Sequence, residues 1–426
     1  MNTNEVKKRK KLLAIDPKLM FKILVILIWT NNTILVYVSQ IFRRFPIIGH
    51  YYKALIPVAI GIFAVLAFPY INKKIKSTDI LFYLGCLLII ILTMLISSDN
   101  AVIIEQVIFR MLITVIPMYF VGICYSHQEL EKPLFWASLA GVSVMLLYQI
   151  YNLYSGQVIN ADNMDASYKV LPSILYLIYW ALTKNQAKYW IIAVLGALMS
   201  FIYGTRGPIL INIIYFALGI YFLLTIKKNS STKLFYLIAF FIVIFIISSD
   251  AVLIPMALRL SRFFRRYGFS TRIFDYFLVG EITDSNGRDE LSVRIIEAIK
   301  ENPIFGYGIM SDRVIAGNYV HNIVLEFFCD FGIFLGIVLL GIIFFMVIKA
   351  LFITRKHRHF YFILMISCLT LVKLWLSGSY LIEPFFFFML GLCVNYIRKN
   401  NINAFKREHI HRRKSLKNVS PPSHKE

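Results

Sequence analysis

The run FCDFGIFLGIVLLGIIFFMVIKA, residues 328–350, decides the fold. A helix rises 1.5 Å per residue, and about 20 apolar residues cross the roughly 30 Å hydrocarbon core of a bilayer. This run is long enough. It follows directly on the most polar stretch of the chain, which passes from Gly287-Arg288 through Asn302-Pro303 and Gly306-Tyr307-Gly308 to His321-Asn322. The juxtaposition predicts a membrane scaffold that holds one polar stretch against one face of the bilayer.

Working outward from that run, comparable segments recur. Twelve spans are expected, at roughly 20–38, 53–71, 79–97, 101–124, 133–153, 168–184, 188–203, 208–226, 233–249, 328–350, 360–378 and 380–397. The fold class is therefore all-α, a polytopic integral membrane protein. A basic N-terminus (1–19) precedes nine spans (20–249). One long loop (250–327) precedes the last three spans (328–397), and a basic tail (398–426) closes the chain. Composition agrees: 58% of the 426 residues are hydrophobic and 16% charged, with a mean hydropathy of +0.69. Soluble chains are nearer half apolar and a quarter charged. The first span reads as a signal anchor, because no small-residue cleavage site follows it. No internal repeat is visible, whereas transporters built from two halves often show one.

The formal net charge of +22 would suggest nucleic acid in a soluble protein. Here no nucleic-acid motif is present, and the excess sits in the termini and in short Lys loops. With the N-terminus cytoplasmic, the loops after even-numbered spans carry Lys73, Lys74 and Lys76, Lys132, Lys184 and Lys188, Lys227 and Lys228, Arg355 and Arg358. That bias places both termini in the cytoplasm. Arg43, Arg44 and Lys53 run against it. The tail from Asn400 is expected to be disordered and to lie near anionic headgroups. Cys86, Cys124, Cys329, Cys368 and Cys393 show no CxxC spacing, so neither a metal site nor a disulfide framework is indicated.

Three residues on the outer side could carry chemistry. Arg206 lies in the turn Gly204-Thr205-Arg206-Gly207-Pro208, where Pro208 opens the next helix. Arg288 falls in the first turn of a helix, with Asn286 the expected cap and Asn302-Pro303 its stop. A helix N-terminus favours an anion, so a cation there is disfavoured unless an anion is shared. The plain alternatives are an interfacial loop arginine at Arg206 and compensation of Arg288 by Asp289 and Glu290. His321 opens the tenth span, with Asn318 a candidate cap. Burial and the helix N-terminus both keep it neutral, which suits a general base. A lone histidine is otherwise an ordinary hydrogen-bonded residue.

Arg259, Arg262 and Arg266 share one face of an amphipathic helix expected over 255–272. They either snorkel to headgroups or guide an anionic lipid head. Glu105, Arg110, Lys373 and Glu383 are costly in lipid, and no role is assigned to them. No ligand spacing supports a metal.

At these residues the chain resembles the Wzy-type oligosaccharide repeat-unit polymerase and O-antigen ligase superfamily. The matching pieces are Gly204-Thr205-Arg206-Gly207, Gly287-Arg288, Asn302-Pro303, Gly306-Tyr307-Gly308, His321-Asn322 with Leu325, Asp330-Phe331-Gly332 and Gly336. The motifs cover roughly 200–340. The resemblance implies an extracytoplasmic glycosyltransferase of the bacterial cytoplasmic membrane that needs no metal and no cofactor. It would polymerise repeat units carried on undecaprenyl pyrophosphate into capsule, exopolysaccharide or O-antigen. His321 would be the general base, and Arg206 and Arg288 would bind the pyrophosphate. Donor and acceptor glycolipids and membrane lipids are the implied partners, with a flippase and a chain-length regulator as candidates. The alternatives are an O-antigen ligase and, in another class, an exporter or flippase for polysaccharide or lipid-linked oligosaccharide. An exporter needs polar lining and alternating-access symmetry, whereas an enzyme needs a one-sided site.

Overall fold

The structure is a computed structural model. It describes residues 16–31, 46–154, 163–202, 206–227, 250–267, 271, 274, 275, 278 and 287–417. Among these residues every regular element is helical. The chain begins with α1 (Pro17–Asn31), α2 (Pro46–Asn72) and α3 (Ser77–Ile96). Next, α4 (Ser98–Arg110) passes through a π turn at Met111–Val115 into α5 (Met118–Cys124). Then come α6 (His127–Tyr154), α7 (Asn163–Lys184), α8 (Ala187–Ile202), α9 (Arg206–Lys227), α10 (Asp250–Arg266), α11 (Arg288–Glu301) and α12 (Ser311–Ala316). The long α13 (Ile323–Thr354) leads to α14 (His359–Ser367), a π turn at Cys368–Val372, α15 (Lys373–Leu376), a 3₁₀ turn at Tyr380–Ile382 and α16 (Pro384–Lys417).

Six stretches among the described residues are long and apolar enough to cross a membrane: Ser77–Ile96, Ser98–Cys124, His127–Tyr148, Arg206–Leu224, Ile323–Thr354 and His359–Leu376. Leu95, Ile96, Phe334, Phe345 and Ile348 are exposed on α3 and α13. An outward apolar surface of this extent marks contact with lipid or with another chain. The core lies around α7 and α16. Val170 to Leu182 of α7 and Phe385 to Phe388 of α16 are buried together with Trp29, Tyr125 and Phe362. Some polar groups within it are paired: the Trp29 indole donates to Ser138 Oγ at 2.9 Å, and the Tyr176 hydroxyl donates to the Glu131 carbonyl at 2.9 Å, whereas the Tyr125 hydroxyl, Ser173 Oγ and Trp180 Nε1 find no partner among the described residues. Most buried polar groups have such partners.

The helix boundaries correct three readings. The helix expected at 328 starts five residues earlier, because the Asn322 side chain caps it, accepting from Val324 N (2.9 Å) and Leu325 N (3.4 Å). The cap is therefore Asn322 and not Asn318, and His321 lies just outside the helix. The tail expected to be disordered from Asn400 continues α16 as far as Lys417. The arginine-bearing helix is present as α10 but runs from Asp250 to Arg266, and Arg272 lies outside the described residues. The span expected at 233–249 also lies outside them.

Candidate functional site

The frame of the site is a backbone joint between the 302–308 loop and a break in α13. At Gly332 the helix departs from helical geometry, with φ 76° and ψ 167°. A break frees backbone groups that need new partners, and the loop supplies them. Ile333 N donates to Pro303 O at 2.7 Å, Tyr307 N to Cys329 O at 2.8 Å and Gly308 N to Asp330 O at 3.0 Å. The two strands of chain approach so closely that a Cβ on Gly332 would overlap Ile304 O, and one on Gly306 would lie 2.7 Å from Cys329 O. Asn100, at the start of α4, adds a third attachment by donating to Tyr307 O at 2.8 Å. The paired motifs Gly306-Tyr307-Gly308 and Asp330-Phe331-Gly332 are thus the two halves of one joint.

Buried carboxyls extend the frame to the turn before α16. Asp330 accepts from the Tyr380 hydroxyl at 2.8 Å. Glu326 accepts from the Ser379 hydroxyl and from Tyr380 N (3.3 Å). Asp312 is fully buried; it accepts from Arg313 Nη1 (3.1 Å) and, at its other oxygen, from Val320 N (3.0 Å). Burial pushes the Asp312 carboxyl above its ordinary range, against Arg313 and the two backbone donors.

That last bond holds the residue next to His321. His321 itself has φ 58°, a left-handed conformation that carries a strain of order 1–3 kcal/mol outside glycine. The Tyr319 ring lies against the imidazole, centroids 4.1 Å apart, and Arg313 covers Tyr319 with its Cζ 5.7 Å from the ring centroid. His321 Nδ1 is buried and has no hydrogen-bond partner among the described residues. Burial first, and the Arg288 guanidinium second, hold the imidazole down to about 4. It is therefore neutral at pH 7 and can accept a proton.

Arg288 opens α11 behind Gly287, whose φ is 80°. The cap position is thus Gly287, which has no side chain to cap with, and not the expected Asn286. The guanidinium Nη1 donates to Leu376 O at 2.7 Å, a carbonyl left without a helical partner where α15 ends. Arg206 opens α9, and residues 203–205 before it lie outside the described residues.

The link between these two arginines is Tyr168 of α7, a residue that sequence reasoning missed. A Cβ on Gly207, next to Arg206, would overlap the Tyr168 hydroxyl. That hydroxyl engages the Ser377 side chain and feels the charge of Arg288. Lys373 Nζ stands 5.6 Å from the Tyr168 ring centroid and pairs with Glu383. No spacing rule announces Tyr168, since it is one of 25 tyrosines in an apolar chain. The site therefore combines the starts of α9 and α11, the end of α15, the His321 segment and one face of α7.

Arg259, Arg262 and Arg266 are exposed on α10, where Arg262 Nε donates to its own helix at Leu258 O (3.3 Å). Arg110 Nη2 donates to Ile382 O at 3.4 Å. Among the described residues no group of three or more His, Cys, Asp or Glu side chains is arranged to hold a metal ion. Compared with known proteins, the chain matches no family model, no curated protein and no solved structure.

Proposed function

We propose that the chain is a membrane glycosyltransferase that polymerises oligosaccharide repeat units carried on undecaprenyl pyrophosphate. In this reading it has twelve spans and cytoplasmic termini, with 250–327 as an extracytoplasmic loop and the site facing out. The observation that carries the reading is a neutral His321 within the field of Arg288, which Tyr168 joins to the Arg206-Gly207 turn and to Lys373.

Attack on the anomeric carbon breaks its bond to a lipid pyrophosphate, on which negative charge develops. Preorganised donors at the positive ends of α9 and α11 stabilise that charge without reorganising. His321 takes the proton from the acceptor hydroxyl, a contribution of about 100- to 10,000-fold. An imidazole held near 4 is a weak base in the empty protein. A bound pyrophosphate offsets the Arg288 charge and raises the imidazole toward neutrality, where proton transfer is most effective. The base is thus strengthened when the donor is in place.

The test is a His321→Ala strain whose lipid-linked intermediates are analysed. Accumulation of single lipid-linked repeat units with folded protein supports the proposal, and normal chain lengths would remove it. Normal polymer on its carrier that fails to reach lipid A would instead identify a ligase. Single units retained on the cytoplasmic face would identify an exporter.

A further inference from the structure

We propose that Tyr168 is a substrate-binding residue, its hydroxyl donating a hydrogen bond to the anionic group held between Arg206 and Arg288. This rests on the glycosyltransferase reading and assigns that site a donor that neither motif nor spacing indicates.

The argument is an inventory of donors and acceptors. The Tyr168 hydroxyl lies against Gly207 and engages Ser377, within reach of the charge of Arg288 and of the Tyr319 phenol, and Lys373 Nζ stands 5.6 Å from its ring centroid. Guanidinium and ammonium groups only donate, and a serine hydroxyl offers one donor and its lone pairs. The obvious acceptors nearby are already engaged: Leu376 O receives Arg288, and Glu383 receives Lys373. Among these groups two cationic donors, Arg288 and Lys373, stand against one carboxylate, Glu383. A group that only accepts, with several oxygens, would offset that excess, and a phosphate or pyrophosphate has that character.

Position supports the same conclusion. The hydroxyl touches the Arg206-Gly207 turn on one side and lies in the Arg288 field on the other. Gly207 lacks the side chain that would displace it.

The test uses the full-length chain purified in detergent, with farnesyl pyrophosphate and farnesol as probes. Tyr168→Phe keeps the ring and removes one donor to a charged acceptor, so the affinity ratio of pyrophosphate to alcohol should fall about tenfold or more. Gly207→Ala, which pushes the hydroxyl aside, should lower the same ratio. Arg288→Lys should lower it whether or not Tyr168 takes part. A normal ratio in Tyr168→Phe alongside a reduced one in Arg288→Lys would overturn the role of Tyr168 and leave the glycosyltransferase reading standing. A normal ratio in both variants would overturn the two together. An equal loss for both probes would mark Tyr168 as merely structural and also overturn the assignment.

Discussion

The two ends of the helical bundle both gather cations, but they treat them differently. At the end where α6 and α14 begin, cations meet carboxylates. Arg398 binds the fully buried Asp79 through both oxygens at 2.7 Å. Glu131 takes Lys184 at 3.2 Å and Arg358 at 3.2 Å, and Glu129 takes Lys18 at 2.8 Å and Lys22 at 2.9 Å. At the other end Arg288 donates to a backbone carbonyl and faces a neutral imidazole and a phenol. Within that group Lys373 pairs with Glu383. Charges compensated within the chain serve the fold; in the proposed reading, charges held beside neutral donors serve a ligand.

Substitutions at the two ends test that contrast. The largest effect is expected from Arg288→Lys, because a point charge cannot reproduce the planar fork. Loss of such a donor lowers turnover on the order of 100- to 1,000-fold, read as polymer formed per cell at equal protein level. Arg398→Lys at the opposite end should leave polymer within a few-fold of normal. If the two variants behaved alike, the contrast would fall.

Asp79→Asn should act in the reverse sense. It leaves a partly buried guanidinium uncompensated, a loss of roughly 3 kcal/mol visible as a lower unfolding temperature in detergent, with turnover unchanged in the protein that remains folded. Gly332→Ala should separate the 302–308 loop from α13, read as faster amide exchange at Tyr307 and Gly308 together with loss of polymer. The smallest effect is expected from Glu129→Gln, since exposed pairs contribute about 1 kcal/mol or less.

The pH dependence follows from His321. Its folded value near 4 lies below the ordinary 6.5, so the unfolded chain binds more protons between those values. Its contribution to stability is therefore full above about pH 6.5 and is lost as pH falls toward 4. Thermal unfolding of wild type against His321→Gln between pH 7 and pH 4 checks this: the wild type should lose more. Equal slopes would contradict the assigned burial and the Arg288 field.

Much of this was legible in the sequence, and the remainder fails for identifiable reasons. Apolar runs located the six long helices, glycine-proline punctuation placed Arg206 at a helix start, and the expected cap at Asn286 put Arg288 in a first turn one residue off the observed cap at Gly287. The cap of α13 was misplaced because Asn318 and Asn322 both offer a capping side chain, and only the tertiary joint at Asp312 and Val320 decides between them. The Lys373–Glu383 pair, ten residues apart, follows no helical spacing; the chain reverses at Ser377-Gly378 to bring the two together. The glycine motifs were visible, but not that one packs against the other. Tyr168 carried no local signal at all, because its role comes entirely from what surrounds it.

In the proposed reading Arg288 and His321 address one anionic ligand. Selective nitrogen labelling of histidine, with His321→Gln to assign the signal, gives the His321 titration in the purified protein. Adding farnesyl pyrophosphate should raise its midpoint from near 4 toward neutrality, and Arg288→Lys should weaken that response. A midpoint that does not move while the ligand is bound would contradict the account.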